Sequence, residues 1–186
     1  MTRSVVLVEG VSDKLALETL AGRRGRDLEA DGISVVSLGG AQAIGRFLDS
    51  LGRDGRNVRL AGLCDAGEEP DFRRALERAG RGSDLTRDAM ERLGFFVCVA
   101  DLEDELIRAL GTDAVEHVVA AQRELGSFRT LQKQAAWRDR PHVEQLRRFM
   151  GSGDSRKIRY ARLLVEALDL GRVPKPLDGV LAYAVG

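Results

Sequence analysis

Four short apolar runs, separated by stretches of helical periodicity, constrain this chain more than any other feature. They occupy residues 5–8, 33–38, 58–64 and 95–99, are rich in Val, Leu and Phe, and hardly alternate with polar residues. A strand with one face in water alternates; a strand buried on both faces does not. The runs therefore predict strands of a parallel sheet covered on each side. Between them, Leu15, Leu17, Leu20 and Ala21 recur at helical spacing, as do Ile44, Phe47, Leu48 and Leu51. Phe72, Ala75, Leu76 and Ala79 do the same behind Pro70, which suits a first helical turn. Strand–helix alternation of this kind predicts a doubly wound α/β sheet.

After Asp101 the strands stop. Residues 102–186 read as helices, with breaks expected near Gly111, Gly126, Pro141, Gly151–Gly153 and Gly171, and with Val173-Pro174-Lys175-Pro176 as an extended or turn segment. The expected division is 1–110 as an α/β domain and 111–186 as a helical extension packed on it. At 186 residues and 44% apolar content the chain can bury a real core.

Ligands in open parallel sheets bind outside the carboxyl ends of the strands, so the residues just after each run matter. The first run ends in Glu9, the third in Asp65, and the fourth in Asp101 with Glu103 two residues on; the second ends in Gly39-Gly40. Three of four strand ends thus present an acid to one rim. Glu9-Gly10-Val11-Ser12-Asp13 places a glycine at the turn from strand to helix and Asp13 in the first helical turn, with Ser12 expected as N-cap. Hard oxygen donors predominate and the chain has two histidines, His117 and His142, so Mg2+ or Mn2+ suits it better than zinc.

Net charge is zero but unevenly spread: −4 over residues 1–110 and +4 over 111–186. An acidic half beside a basic half is compatible with phosphate recognition, and equally with ordinary surface variation. Cys64 and Cys98 lie within apolar runs, which suggests buried free thiols. The start, Met1-Thr2-Arg3 followed by five apolar residues, is too short for a signal peptide. No run approaches a membrane span, so a soluble cytoplasmic protein is expected.

The segment Val5-Val6-Leu7-Val8-Glu9-Gly10-Val11-Ser12-Asp13 resembles the opening motif of Toprim domains. Ser37-Leu38-Gly39-Gly40, Asp101-Leu102-Glu103 and Ser155-Arg156-Lys157-Ile158-Arg159-Tyr160-Ala161 bring the resemblance closest to the OLD (overcoming lysogenization defect) nucleases. It extends over nearly the whole chain. The implied fold is a Rossmann-like, four-stranded, mainly parallel sheet with helices on both faces, followed by a helical C-terminal region. The implied activity is metal-dependent cleavage of nucleic acid, DNA ahead of RNA, with Mg2+ or Mn2+. Glu9 would be metal ligand or general base. Asp13, Asp65, Asp101 and Glu103 would be metal ligands, and Lys157 would stabilise transition-state charge. Arg156, Arg159 and Arg162, on the same predicted helix, could hold flanking phosphates or form a solvated face.

Two departures stand out. Toprim domains usually follow the third strand with Asp-x-Asp, whereas here Asp65-Ala66-Gly67-Glu68-Glu69 puts glycine at the second position, leaving Glu68 as a candidate substitute. OLD nucleases usually carry an ATPase domain before the Toprim domain, while this sequence opens on the Toprim strand, so a separate ATPase partner is expected. Gly40 to Phe47 mimics a P-loop only in its glycines and lacks the Lys and Ser/Thr that meet phosphate and magnesium. The alternatives are a non-catalytic Toprim module that binds nucleic acid or a partner, and a hydrolase of a small nucleotide phosphate.

Overall fold

Each apolar run becomes a strand of one sheet. A computed structural model describes residues 3–51 and 58–186, without the side chain of Leu51; Met1 and Thr2 and the burial of Leu51 lie outside the described residues. The strands are β1 (Ser4–Val8), β2 (Ile33–Ser37), β3 (Arg59–Cys64) and β4 (Phe95–Val97), in the order β2-β1-β3-β4. All three pairings are parallel, with Val8 beside Ser37 and Leu63, and Cys64 beside Val97. The sheet is thus wholly rather than mainly parallel, and every strand's carboxyl end lies on one edge.

The missing alternation has the expected cause. Val5 and Leu7 pack on one face with Leu60, Cys64, Phe95 and Val97. That face is covered by α2 (Ala43–Leu51), α3 (Glu69–Arg78) and α4 (Arg87–Arg92). Val6 and Val8 pack on the other with Ala61, Leu63 and Phe96, covered by α1 (Val11–Arg23) and α10 (Lys175–Val185), with α9 (Asp154–Ala167) packed on α1. Each such buried side chain contributes about 1.5–3 kcal/mol. Cys64 and Cys98 are buried free thiols belonging to opposite faces, so the sheet lies between them.

The remaining helices are α5 (Leu102–Leu110), α6 (Thr112–Ala121), α7 (Leu125–Lys133) and α8 (His142–Met150), with a 3-10 turn at Leu170–Arg172. Their buried residues, including Leu106, Val115, Phe128, Leu146 and Phe149, are continuous with the core under α1.

Several local expectations change. Gly10, not Ser12, is the N-cap of α1, because Asp13 supplies the capping carboxylate and Ser12 is buried inside the first turn. Gly126 lies within α7, and the chain turns before it, at Gln122–Glu124. Lys175-Pro176 is not an extended segment but the first turn of α10, where a proline lacks only an N–H that has no helical partner. Helix α9 buries Tyr160, Ala161, Leu164 and Val165.

Candidate active site

Parallel strands deliver Glu9, Asp65 and Asp101 to one edge of the sheet, because each comes after the last residue or loop of a strand in register with its neighbours. The backbone locks the edge together. Glu9 carbonyl accepts from Gly39 N–H at 3.0 Å and Gly40 N–H at 3.3 Å, and Ala66 N–H donates to Ala100 carbonyl at 2.9 Å. Gly39 and Gly40 have φ of +70° and +127°, which lets two successive amides turn back onto Glu9.

Two helix N-termini point at this edge. Helix α1 starts there, with the Asp13 carboxylate accepting from Gly10 N–H at 2.8 Å. Helix α9 lies alongside α1 in the same direction. At their far ends the Arg23 guanidinium of α1 donates to the carbonyls of Val165 (2.8 Å) and Leu168 (2.6 Å), a cation on a helix C-terminus. At the near ends Lys157, in the first turns of α9, sits 3.7 Å from Glu103 and within electrostatic reach of Asp13, Asp65 and Glu9. Arg23 thus ties together the far ends of the two helices whose near ends carry Asp13 and Lys157.

The result is a crowded group of acids. Asp13 and Glu103 are only 7% and 6% exposed, where an ionised carboxylate without a partner is costly. Burial, then the charges of Asp13, Asp101 and Glu9, push the Asp65 carboxyl up to about 8. Burial raises Glu9 too, and its largest charged neighbour is Glu68, ahead of Asp13. Asp13 and Glu103 are also raised, chiefly by burial. Burial alone would lower Lys157, but Glu103, Asp13, Asp65 and Glu9 outweigh it and hold the ammonium above its ordinary value. One lysine faces a cluster with more negative charge than it can balance.

Asp101 has less freedom than the others. One oxygen caps α5 by accepting from Asp104 N–H at 2.8 Å, and the other accepts from the Arg147 guanidinium of α8. That leaves Glu103, in the first turn of α5, as the freer acid from this loop. Glu68 sits at the start of α3, its N–H bonded to the Asp65 carbonyl at 3.0 Å. Space around Gly67 is open, and its backbone is not in the left-handed region, so an aspartate would be accommodated there. Arg156 and Arg159 are both turned onto Glu124, which also accepts from Tyr160 hydroxyl at 2.7 Å, and Arg162 faces Glu166 at 3.5 Å. Arg156 and Arg159 are thus paired within the protein, while Arg162 makes only an exposed i,i+4 ion pair.

Among the described residues no three acidic, histidine or cysteine side chains converge as a ready-made metal cage. The donor set nevertheless fits a hard divalent cation. Glu103 Oε1 is buried and accepts no hydrogen bond, since Lys157 at 3.7 Å is too distant to donate one. Oxygen donors with surplus negative charge are what Mg2+ and Mn2+ select.

Residues 1–66 match the family described as "Overcoming lysogenization defect protein-like, TOPRIM domain". Over these residues the chain is similar to an OLD-like Toprim domain. Its fold is similar over 99% of this chain to the C-terminal region of the Xanthomonas campestris pv. campestris OLD protein, covering 92% of that chain at TM-score 0.72 and 22% identity. The C-terminal region of the Burkholderia pseudomallei OLD protein aligns over the full length of both chains at TM-score 0.73 and 22% identity. No curated protein matches the sequence. The Toprim assignment implies metal-dependent processing of nucleic acid. No helix among the described residues is long and apolar enough to cross a membrane.

Sequence reasoning missed Arg147 and Arg23. Neither belongs to a motif; each acts on a residue far away in the chain, and no local signal marks it.

Proposed function

We propose that this protein is a metal-dependent nuclease that hydrolyses phosphodiester bonds, in DNA ahead of RNA. The observation that carries the reading is that Glu9, Asp13, Asp65 and Glu103 lie within electrostatic reach of Lys157, which sits 3.7 Å from Glu103, near the starts of two helices. The proposed holders of Mg2+ or Mn2+ are Glu9, Asp13, Asp65 and Glu103, with Glu68 in place of the second aspartate. When bound, the cation neutralises charge on the phosphate oxygens. Glu9 is the proposed general base: burial and Glu68 raise its affinity for a proton, which suits a group that must accept one from water. Lys157 supplies a fixed positive charge where the phosphate gains negative charge, and the two helix dipoles add to it. Asp101 is a positioning residue in this scheme, holding the start of α5, and so Glu103, in place.

Residues 1–110 are the proposed catalytic domain and 111–186 the helical extension that brings Lys157 to it. An ATPase, on this or another chain, is the partner the family resemblance implies.

Purified protein should cleave DNA slowly with Mn2+ or Mg2+, and EDTA should abolish cleavage. Gly67 favours a second reading, a non-catalytic module that binds nucleic acid or a partner. Protein that cuts neither DNA nor RNA with either metal supports that module. Gly67→Asp separates the two further: it should raise the rate if the remaining acids are catalytic and leave an inert protein inert.

A further inference from the structure

Beside the acidic rim lies a groove of about 370 Å³ lined by Asp101, Trp137, Glu144, Arg147, Arg148 and Gly151. It shares Asp101 with the candidate active site. Trp137, the only tryptophan of the chain, sits here in the turn between α7 and α8, half-buried rather than in the core. That turn is held firmly. Trp137 N–H donates to Gln134 carbonyl at 2.9 Å, and Trp137 carbonyl accepts from Gln145 Nε2 at 2.8 Å. Gln145 is only 6% exposed, and its own oxygen accepts from Gln132 at 2.7 Å. The indole is thus presented by a turn ordered in advance, so a ligand stacking on it does not have to order the loop.

Charge in the groove is also poised for a ligand. The Arg148 guanidinium lies 5.8 Å from the centre of the Trp137 ring and forms no ion pair among the described residues. Arg147 commits one terminal nitrogen to Asp101, and its Nε finds no acceptor. Glu144 faces Arg140 at 3.8 Å, and Asp101 is neutralised by Arg147, so the two acids of the groove are offset. A flat aromatic surface, the exposed unpaired Arg148 guanidinium and room for about one base form the combination that binds unpaired nucleotides: stacking serves any base, and cations track the backbone.

We propose that this groove holds an unpaired nucleotide flanking the scissile phosphate, its base on Trp137 and its phosphate on Arg148 and Arg147. The inference rests on the nuclease reading and narrows its substrate to single-stranded polynucleotide, or a strand opened at this point, over a fully paired duplex or a mononucleotide.

Because Trp137 is the sole tryptophan, its fluorescence reports the groove directly. Titration with a short oligo(dT) in EDTA, where nothing is cut, should quench that fluorescence in step with the anisotropy of a labelled strand. Trp137→Ala should weaken binding roughly tenfold or more, with Trp137→Phe retaining most of the affinity. Arg148→Ala, an exposed substitution that leaves the fold alone, should reduce the slope of log affinity against log salt by about 0.7. A blunt duplex should quench far less. The inference is overturned if the oligonucleotide binds without changing Trp137 fluorescence, if both Trp137→Ala and Arg148→Ala bind as the wild type does, or if duplex quenches equally. Should no oligonucleotide bind while Mn2+ still supports duplex cleavage, the groove assignment fails and the nuclease reading stands. Quenching without any cleavage leaves the groove standing and removes the nuclease.

Discussion

Lys157 and the carboxylates are expected to fail in different ways when removed. Lys157→Ala should lower the single-turnover rate by roughly 10²–10³, the usual cost of one electrostatic stabiliser, while metal affinity measured by calorimetry stays close to wild type. Glu9→Ala should abolish metal binding and cleavage together. A Lys157→Ala protein cutting at the wild-type rate would take that lysine out of the site. Asp65 makes a second prediction, about stability. Its carboxyl titrates at about 8 in the fold and near its ordinary 3.8 in the unfolded chain. Between those values the folded protein keeps a proton that the unfolded chain has lost, so stability falls as pH rises through the window and levels off above about 8. In EDTA the melting temperature should therefore be lower at pH 8 than at pH 6. Mg2+ should recover more at pH 8, where the acids are ionised and open to it, and Asp65→Asn should flatten the dependence. Melting that is flat with pH in the wild type would mean that the cluster is already balanced by groups other than Lys157.

At the scale of elements, α10 matters more than its position at the end of the chain suggests. It covers the sheet beside β3 and β4, and Gly179 meets β4 so closely that a Cβ there would lie 2.3 Å from the Phe96 ring. Phe96 is itself 8% exposed and has little space in which to yield. Gly179→Val should destabilise the fold by about 2 kcal/mol or more, read as a lower denaturant midpoint with unchanged slope, because the ring or the helix must shift. Helix α9 is held differently, by α1 along its length and by Arg23 at its end. The proposed catalytic lysine therefore stands on a helix anchored at its far end, and its placement is a property of the α1–α9 pair rather than of the lysine motif alone.

For the whole molecule, one core runs from the sheet through α1 into α5 to α10. Cutting after residue 110 would strip α10 from Ala61, Leu63 and Phe96 on one sheet face and α9 from the outer side of α1. Hydrophobic surface of that extent opposes independent folding. Residues 1–110 expressed alone should give no cooperative melting transition, and the full chain should give one. A fragment that melts cooperatively would show that the extension is an accessory to a self-sufficient domain. The same continuity explains why an acidic rim from one part of the sequence and a lysine from another can form a single site.

The strands and their acids were legible before any folding was considered. A strand buried on both faces has to be written without alternation, which marks residues 5–8, 58–64 and 95–99, whereas the edge strand at 33–37 leaves Ser34 exposed; all-parallel pairing then sends Glu9, Asp65 and Asp101 to one edge. Helix bounds were less legible where local preferences compete: Pro176 reads as a breaker yet opens α10, and Ser12 reads as a cap where Gly10 and Asp13 do that work. Which charges compensate which was settled in three dimensions. Arg147 engages Asp101, Glu124 takes up Arg156 and Arg159, and Lys157 is left facing the acids. Such choices depend on distances between segments remote in sequence, and burial then multiplies the electrostatic consequence of each. Local periodicity carries no record of either.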